Sequence, residues 1–238
     1  MNRIKKDLCE ICGTELNYAS NQEDYRNMEC YFCKNQFKTN VFCPNGHYIC
    51  DQCHSKEPIK IIKKFCQKTD LKDPFIIADR IMAHPNFKMY GPEHHALTPA
   101  AILTALKNNR IRKPTGEIVS ISDINEGIAR GSKIPGGYCG FYGTCGAGIG
   151  SGIAISIFTN ANPSKDIPRS LANEMTSRSL ERISDDLEHC CKRSVRLSIC
   201  EALEFLKEKF DIYLDYESKK CIFSSLNKKC EKLNCPIN

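Results

Sequence analysis

The sequence predicts a mostly α-helical body behind a small, metal-stabilised head. Apolar residues recur at spacings of three and four through most of residues 59–210, while seven of the 16 cysteines crowd between Cys9 and Cys53. Only Asp211–Phe223, interrupted by Glu217-Ser218-Lys219, reads as extended chain, so a C-terminal β-hairpin is the one strand element expected. With 238 residues, 41% apolar and 26% charged, the chain can build a sizeable core and is neither a disordered acidic chain nor a fibre. The longest apolar run, Ile149–Phe158, falls far short of the roughly 20 residues of a membrane span. Met1–Cys9 is charged and has no hydrophobic region of the secretory kind, so a cytoplasmic protein with no membrane partner is expected. The net charge of +6 permits contact with nucleic acid but does not argue for it.

The head, residues 1–57, carries Cys9-Glu-Ile-Cys12, Cys30-Tyr-Phe-Cys33 and Cys43-Pro-Asn-Gly-His47-Tyr-Ile-Cys50-Asp-Gln-Cys53. These eight residues make two full tetrahedral sets, the pattern of two structural zinc ions, with no open coordination position left for catalysis. The two-residue gap lets both sulfurs of a pair turn toward one ion, and Gly13 supplies the backbone freedom that such a knuckle uses. So short a segment cannot bury enough apolar area alone, and metal supplies the missing folding energy. An iron–sulfur cluster in the head is the lesser alternative. From Cys30 the spacing C-x2-C-x9-C-x3-H-x2-C-x2-C resembles the first six ligands of the RING and treble-clef cross-brace families. That resemblance implies Cys30, Cys33, Cys50 and Cys53 on one ion and Cys9, Cys12, Cys43 and His47 on the other. A sequential pairing, with Cys9, Cys12, Cys30 and Cys33 together, is the alternative. The final RING ligand pair is missing after Cys53, so ubiquitin ligase activity is not implied.

Residues 58–238 form the body. Ile59–Gln67 reads as a short basic linking helix. Asp73-Pro74 opens a helix through Met82 that His84-Pro85 stops. Thr98-Pro99 starts the next, through Leu106, and Ser122 or Asp123 starts a third that Gly131 ends. Ile167-Pro168 begins a long helix with the stripe Leu171, Met175, Leu180, Ile183 and Leu187, running to Cys190. A last helix carries Val195, Ile199, Ala202, Leu206 and Phe210.

Nine of the 14 glycines fall between Gly131 and Gly152, around Cys139 and Cys145. Two readings stand side by side. In one, the loop wraps an anion or cofactor held by Gly140, Gly143, Gly146 and Gly148, and feeds a helix from about Thr144 whose first turn holds Cys145 as a thiolate. In the other, Gly146, Gly148, Gly150 and Gly152 are a small-residue face for tight helix packing. A Rossmann site is disfavoured, because no strand precedes the glycines.

Cys139 and Cys145 find a complement in the adjacent pair Cys190 and Cys191, beside Lys192 and Arg193. Four thiols could hold an iron–sulfur cluster or zinc, or two could cycle between dithiol and disulfide. Glu93-His94-His95 adds imidazoles able to ligate a metal or carry a proton. Cys66 and Cys200 read as buried, and Cys221, Cys230 and Cys235 are left unassigned.

The His94-His95 pair, the Gly-Gly-Tyr-Cys139-Gly-Phe-Tyr-Gly-Thr-Cys145-Gly-Ala-Gly-Ile-Gly run and Cys190-Cys191-Lys-Arg together resemble a cysteine-rich prokaryotic domain family of unknown function, over about residues 70–210. The resemblance implies a shared site at His94, His95, Cys139, Cys145, Cys190 and Cys191. It also implies an anaerobic setting, with some members attached to S-adenosylmethionine-dependent methyltransferase or radical modules. The expectation is thiol redox, sulfur transfer or electron delivery in the body, served by a redox or S-adenosylmethionine-enzyme partner, with the head recognising a protein partner. The alternatives are a non-enzymatic adaptor binding protein or RNA and, more weakly, a methyl or nucleotide transfer enzyme.

Overall fold

The structure, a computed structural model, describes residues 9, 11–50, 53, 57–184, 186–217, 220–227 and 229–237. Among these it is mostly helical, with two two-stranded ladders confined to the head. In the head, β1 (Asn17–Tyr18) pairs antiparallel with β4 (Val41–Phe42), and β2 (Arg26–Glu29) pairs antiparallel with β3 (Gln36–Thr39). Three ligand-bearing turns hang on this frame. Gly13 and Gly46 adopt φ of +72° and +80° at two of them, conformations that a side chain would strain.

The body begins with α1 (Pro58–Lys68) and α2 (Pro74–Met82), the latter capped where expected by Asp73, whose carboxylate accepts the amides of Phe75 and Ile76. Then follow α3 (Glu93–Asn108), α4 (Ile121–Gly131), α5 (Tyr138–Phe141), α6 (Gly146–Phe158), α7 (Asp166–Ile183) and α8 (Cys191–Phe210). Ser120 and Asp123 form a reciprocal capping box at α4. Helix α3 is buried on every side from Glu93 to Leu106 and touches α1, α2, α4, α6 and α8, which makes it the axis of the body. Its alanines and threonines suit that place, since an axial helix has no solvent stripe to pattern.

Three expectations are corrected. Helix α3 starts at Glu93 rather than Thr98, so His94 and His95 lie in its first turn and Pro99 sits inside it. The bonding lost at Pro99 is tolerated within a packed interior where α4 and α6 close over the carbonyl of His95. Helix α7 stops at Ile183: the backbone of Ser184 leaves the helical region at ψ 73°, and its hydroxyl donates to the carbonyl of Leu180. Cys190 therefore caps the start of α8 instead of ending a long helix. Residues 211–217 and 220–223 carry no strand; Asp211 leaves α8 through φ +55°, and the Asp73 carboxylate accepts the amide of Glu217, so this segment is spent covering α2. The expected interruption at Ser218 and Lys219 lies outside the described residues.

The glycines of α6 are explained by packing. A β-carbon at Gly146 would overlap the His95 ring, one at Gly148 would sit 2.9 Å from Leu180, and one at Gly150 would sit 2.9 Å from the carbonyl of His95. One at Gly152 would overlap Thr176 of α7. Each such glycine costs about 1 kcal/mol of helix propensity, offset here by contact with α3 on one side and α7 on the other.

Candidate metal centres

The head brings its eight predicted ligands into two groups, Cys30, Cys33, Cys50 and Cys53 in one and Cys9, Cys12, Cys43 and His47 in the other, each with ligand atoms within 4.8 Å of one another. This is the cross-brace pairing, not the sequential one. A metal–sulfur bond of about 2.3 Å gives a tetrahedron with edges of roughly 3.8 Å. Cys33 and Cys50 have sulfurs 3.8 Å apart, Cys12 and Cys43 3.5 Å, and His47 Nδ1 lies 3.8 Å from the sulfurs of both Cys9 and Cys43. Both groups therefore have the dimensions of a single tetrahedral ion. The turns also aim amide hydrogens at sulfur: Asn45 donates to Cys43 at 3.4 Å and Cys50 to Cys30 at 3.5 Å. Burial opposes ionisation of Cys12, but hydrogen bonds from Thr14 and Asn45 carry it down to about 5, in the range of a ready thiolate ligand.

A second cluster forms in the body around a cavity of about 240 Å³, far larger than the roughly 10–15 Å³ that admits one water. Its wall takes His94 and His95 from α3, Cys139 from α5, Cys145 at the N-cap of α6, Cys191 from the first turn of α8, and His189 from the loop before it. His189 Nε2 lies 3.9 Å from the Cys139 sulfur and 3.6 Å from that of Cys191, and its ring stacks on Tyr90 at 5.4 Å. Burial pushes the Cys191 thiol up to about 11 against a hydrogen bond from the Gly91 backbone, and the sulfurs of Cys145, Cys190 and Cys139 add to the rise. Such crowded thiols ionise together only when a cation offsets their charge.

The two α3 imidazoles are held in one tautomer. His94 Nδ1 donates to the carbonyl of Gly91 at 2.9 Å and His95 Nδ1 to that of Ile134 at 3.0 Å, which leaves Nε2 of each as a bare acceptor. His94 Nε2 is buried with no hydrogen-bond partner. Burial, reinforced by Lys192, holds His94 down to about 3, so it is neutral near pH 7. A backbone-anchored Nδ1–H with Nε2 free is the arrangement of a metal-ligating histidine.

A family model described as a family of unknown function, DUF5714, matches residues 62–238. The chain belongs to that family. No curated protein and no solved structure matches it. The DUF5714 match spans the body from within α1 to the C-terminal tail, and leaves the head outside. Of the cysteines and histidines expected at the body site, Cys190 alone does not line the cavity, although its sulfur is near enough to help raise the Cys191 thiol. Gly146 and Gly148 are needed for helix packing, whereas Gly140 and Gly143 have open space around them, with Gly143 at φ +64°. His189 and Tyr90 escaped the sequence reading. The signal for His189 was its place immediately before the cysteine pair, masked by assigning residues 184–189 to a helix. Cys66 is buried as expected, while Cys200 is only half-buried beside Glu204. Among the described residues no helix is long and apolar enough to cross a membrane.

Proposed function

We propose that this is a cytoplasmic metal-dependent protein in which two zinc ions hold the head and the body cavity holds an iron–sulfur cluster on Cys139, Cys145, Cys191 and His189, for electron delivery or sulfur transfer. The observation that carries the reading is that three thiols and an imidazole ring one cavity without drawing together as the head quartets do; among the described residues only those quartets bring their ligand atoms within 4.8 Å of one another. A polynuclear cluster suits ligands set wider than the edges of a single-ion tetrahedron. His94 and His95 offer their Nε2 atoms as further acceptors inside the same wall. The head, outside the family's span, serves as a docking module for a protein partner, such as a redox enzyme or one that uses S-adenosylmethionine.

The test is metal and acid-labile sulfide content on protein purified without oxygen, beside a variant carrying Cys139→Ser and Cys191→Ser. Iron and sulfide with visible absorbance, lost in the variant while zinc stays, support the reading. Zinc alone, unchanged in the variant and after attempted cluster reconstitution, overturns it.

A further inference from the structure

The body carries a second opening, a groove of about 580 Å³ along α6 and α7 that shares no lining residue with the cavity of the thiols and imidazoles. Its volume lies within the range of about 300–1,000 Å³ common to small-molecule sites. One stripe of each helix lines it: Ile149, Ile153 and Ser156 from α6, and Arg169, Ala172 and Thr176 from α7, each set at the spacing of a single helical face. Gly152 lies between them. A β-carbon there would overlap Thr176 and sit 2.9 Å from the carbonyl of Ala172, so the two helices meet closely at that point. Ile149 and Ile153, both half-buried, give the groove an apolar wall.

The charge of the groove has one sign. Its charged lining residues are Arg169 and Arg130, the latter from the last turn of α4, and no carboxylate lines it. The chain around it agrees, since no acidic residue stands between Glu126 and Asp166, while Arg130, Lys133 and Lys165 do. Helix stability does not account for Arg169, because the opening turn of α7 is where the helix dipole disfavours a cation. Its one ion pair is a long contact of 3.4 Å to Asp166, whose side chain is 90% exposed, and such pairs contribute little. Arg130 gives Nε to Glu126 at 2.7 Å and Nη1 to the hydroxyl of Ser156 at 3.2 Å, which fixes its guanidinium on the groove wall and leaves Nη2 with no partner among the described residues. A guanidinium held in this way presents a pre-set donor to an anion.

We propose that this groove binds an organic anion with a short apolar body, of the medium-chain carboxylate class, its head held by Arg130 and Arg169 and its tail laid along Ile149 and Ile153. Charge and apolar wall are both needed for that ligand. A neutral molecule of the same length would leave the arginines unused, and a small anion would leave the isoleucines unused. The site is independent of whatever the thiol cavity holds, because the two share helix α6 but no lining residue.

Titration of octanoate into the full chain, carbon-13 labelled at its isoleucine methyl groups, tests this by nuclear magnetic resonance. Saturable shifts at Ile149 and Ile153 are expected. Arg130→Gln and Arg169→Gln should each weaken binding roughly tenfold, the worth of a charge-assisted hydrogen bond. Asn173 is exposed and lines the same groove, so Asn173→Asp adds a carboxylate there with almost no change of shape and should weaken binding as well. Octanol and acetate, which carry the tail or the head alone, should not saturate these methyl groups at concentrations where octanoate does. No saturable shift at the two isoleucines, octanoate affinity unchanged in folded arginine and Asn173→Asp variants, or octanol binding as tightly as octanoate overturns the proposal.

Discussion

Gly146 shows how one missing methyl group shapes the body site. A β-carbon there meets the His95 ring, so Gly146→Ala should cost about 1–3 kcal/mol in urea unfolding by overpacking and, on the proposed cluster, should lower iron content while the metal content of the head is unchanged. Gly140→Ala, with nothing within 4 Å, should do neither. His94 sets a pH response. Its folded value of about 3 lies below the ordinary 6.5, so the unfolded chain binds a proton that the folded one excludes. Stability is then full above about pH 6.5 and falls by up to about 1.4 kcal/mol per pH unit as the solution is acidified. Facing it are Lys192 from α8, His95, His189 and the Gly91 carbonyl. Urea midpoints between about pH 7 and 5 should fall less steeply in His94→Leu by one proton's worth; equal slopes would remove this account. The cysteines and His94-His95 were legible in the sequence because ligand chemistry is a property of residue type. The tautomer of each imidazole was not, since it depends on which carbonyl a folded loop presents.

At the scale of elements, the Asp73 cap was read correctly, whereas the α4 cap at Ser120 lies ahead of the expected start at Ser122 or Asp123. Asp73-Pro74 and the end of α4 at Gly131 stand where local chemistry placed them. Pro99 misled, because a proline that usually opens a helix here lies inside one whose neighbours close over the lost bond. The end of α7 was hidden by an apolar stripe running on to Leu187, and only the backbone turn at Ser184 shows it. Between α7 and α8, Glu201 accepts Arg178 Nε and Arg182 Nη1, both at 2.6 Å. Both arginines are partly exposed, so Glu201→Gln should cost only about 1–2 kcal/mol after screening, seen as faster amide exchange across α7 with the head unaffected.

For the whole molecule, the two head groups differ in what they support. The Cys30, Cys33, Cys50 and Cys53 group belongs to the same apolar core as α1 and α2, with the ring of Phe32 4.1 Å from that of His84 and Arg80 over Tyr31 at 5.4 Å. Cys33→Ser should therefore lower the unfolding temperature of the body as well, by roughly 5–10 °C. Cys12→Ser, in the outer and partly exposed group, should leave the body transition within about 2 °C. A body transition unmoved by Cys33→Ser would mean that the shared core carries no coupling. By itself the sequence determined the head's ligand set, the helical class of the body and the thiols and imidazoles available for chemistry, because spacing and residue type act locally along the chain. Only the tertiary structure decided that His189 joins the cavity wall and that Cys190 does not. Those outcomes depend on where helices end and which segments cross in space, and chain-local patterns do not encode either.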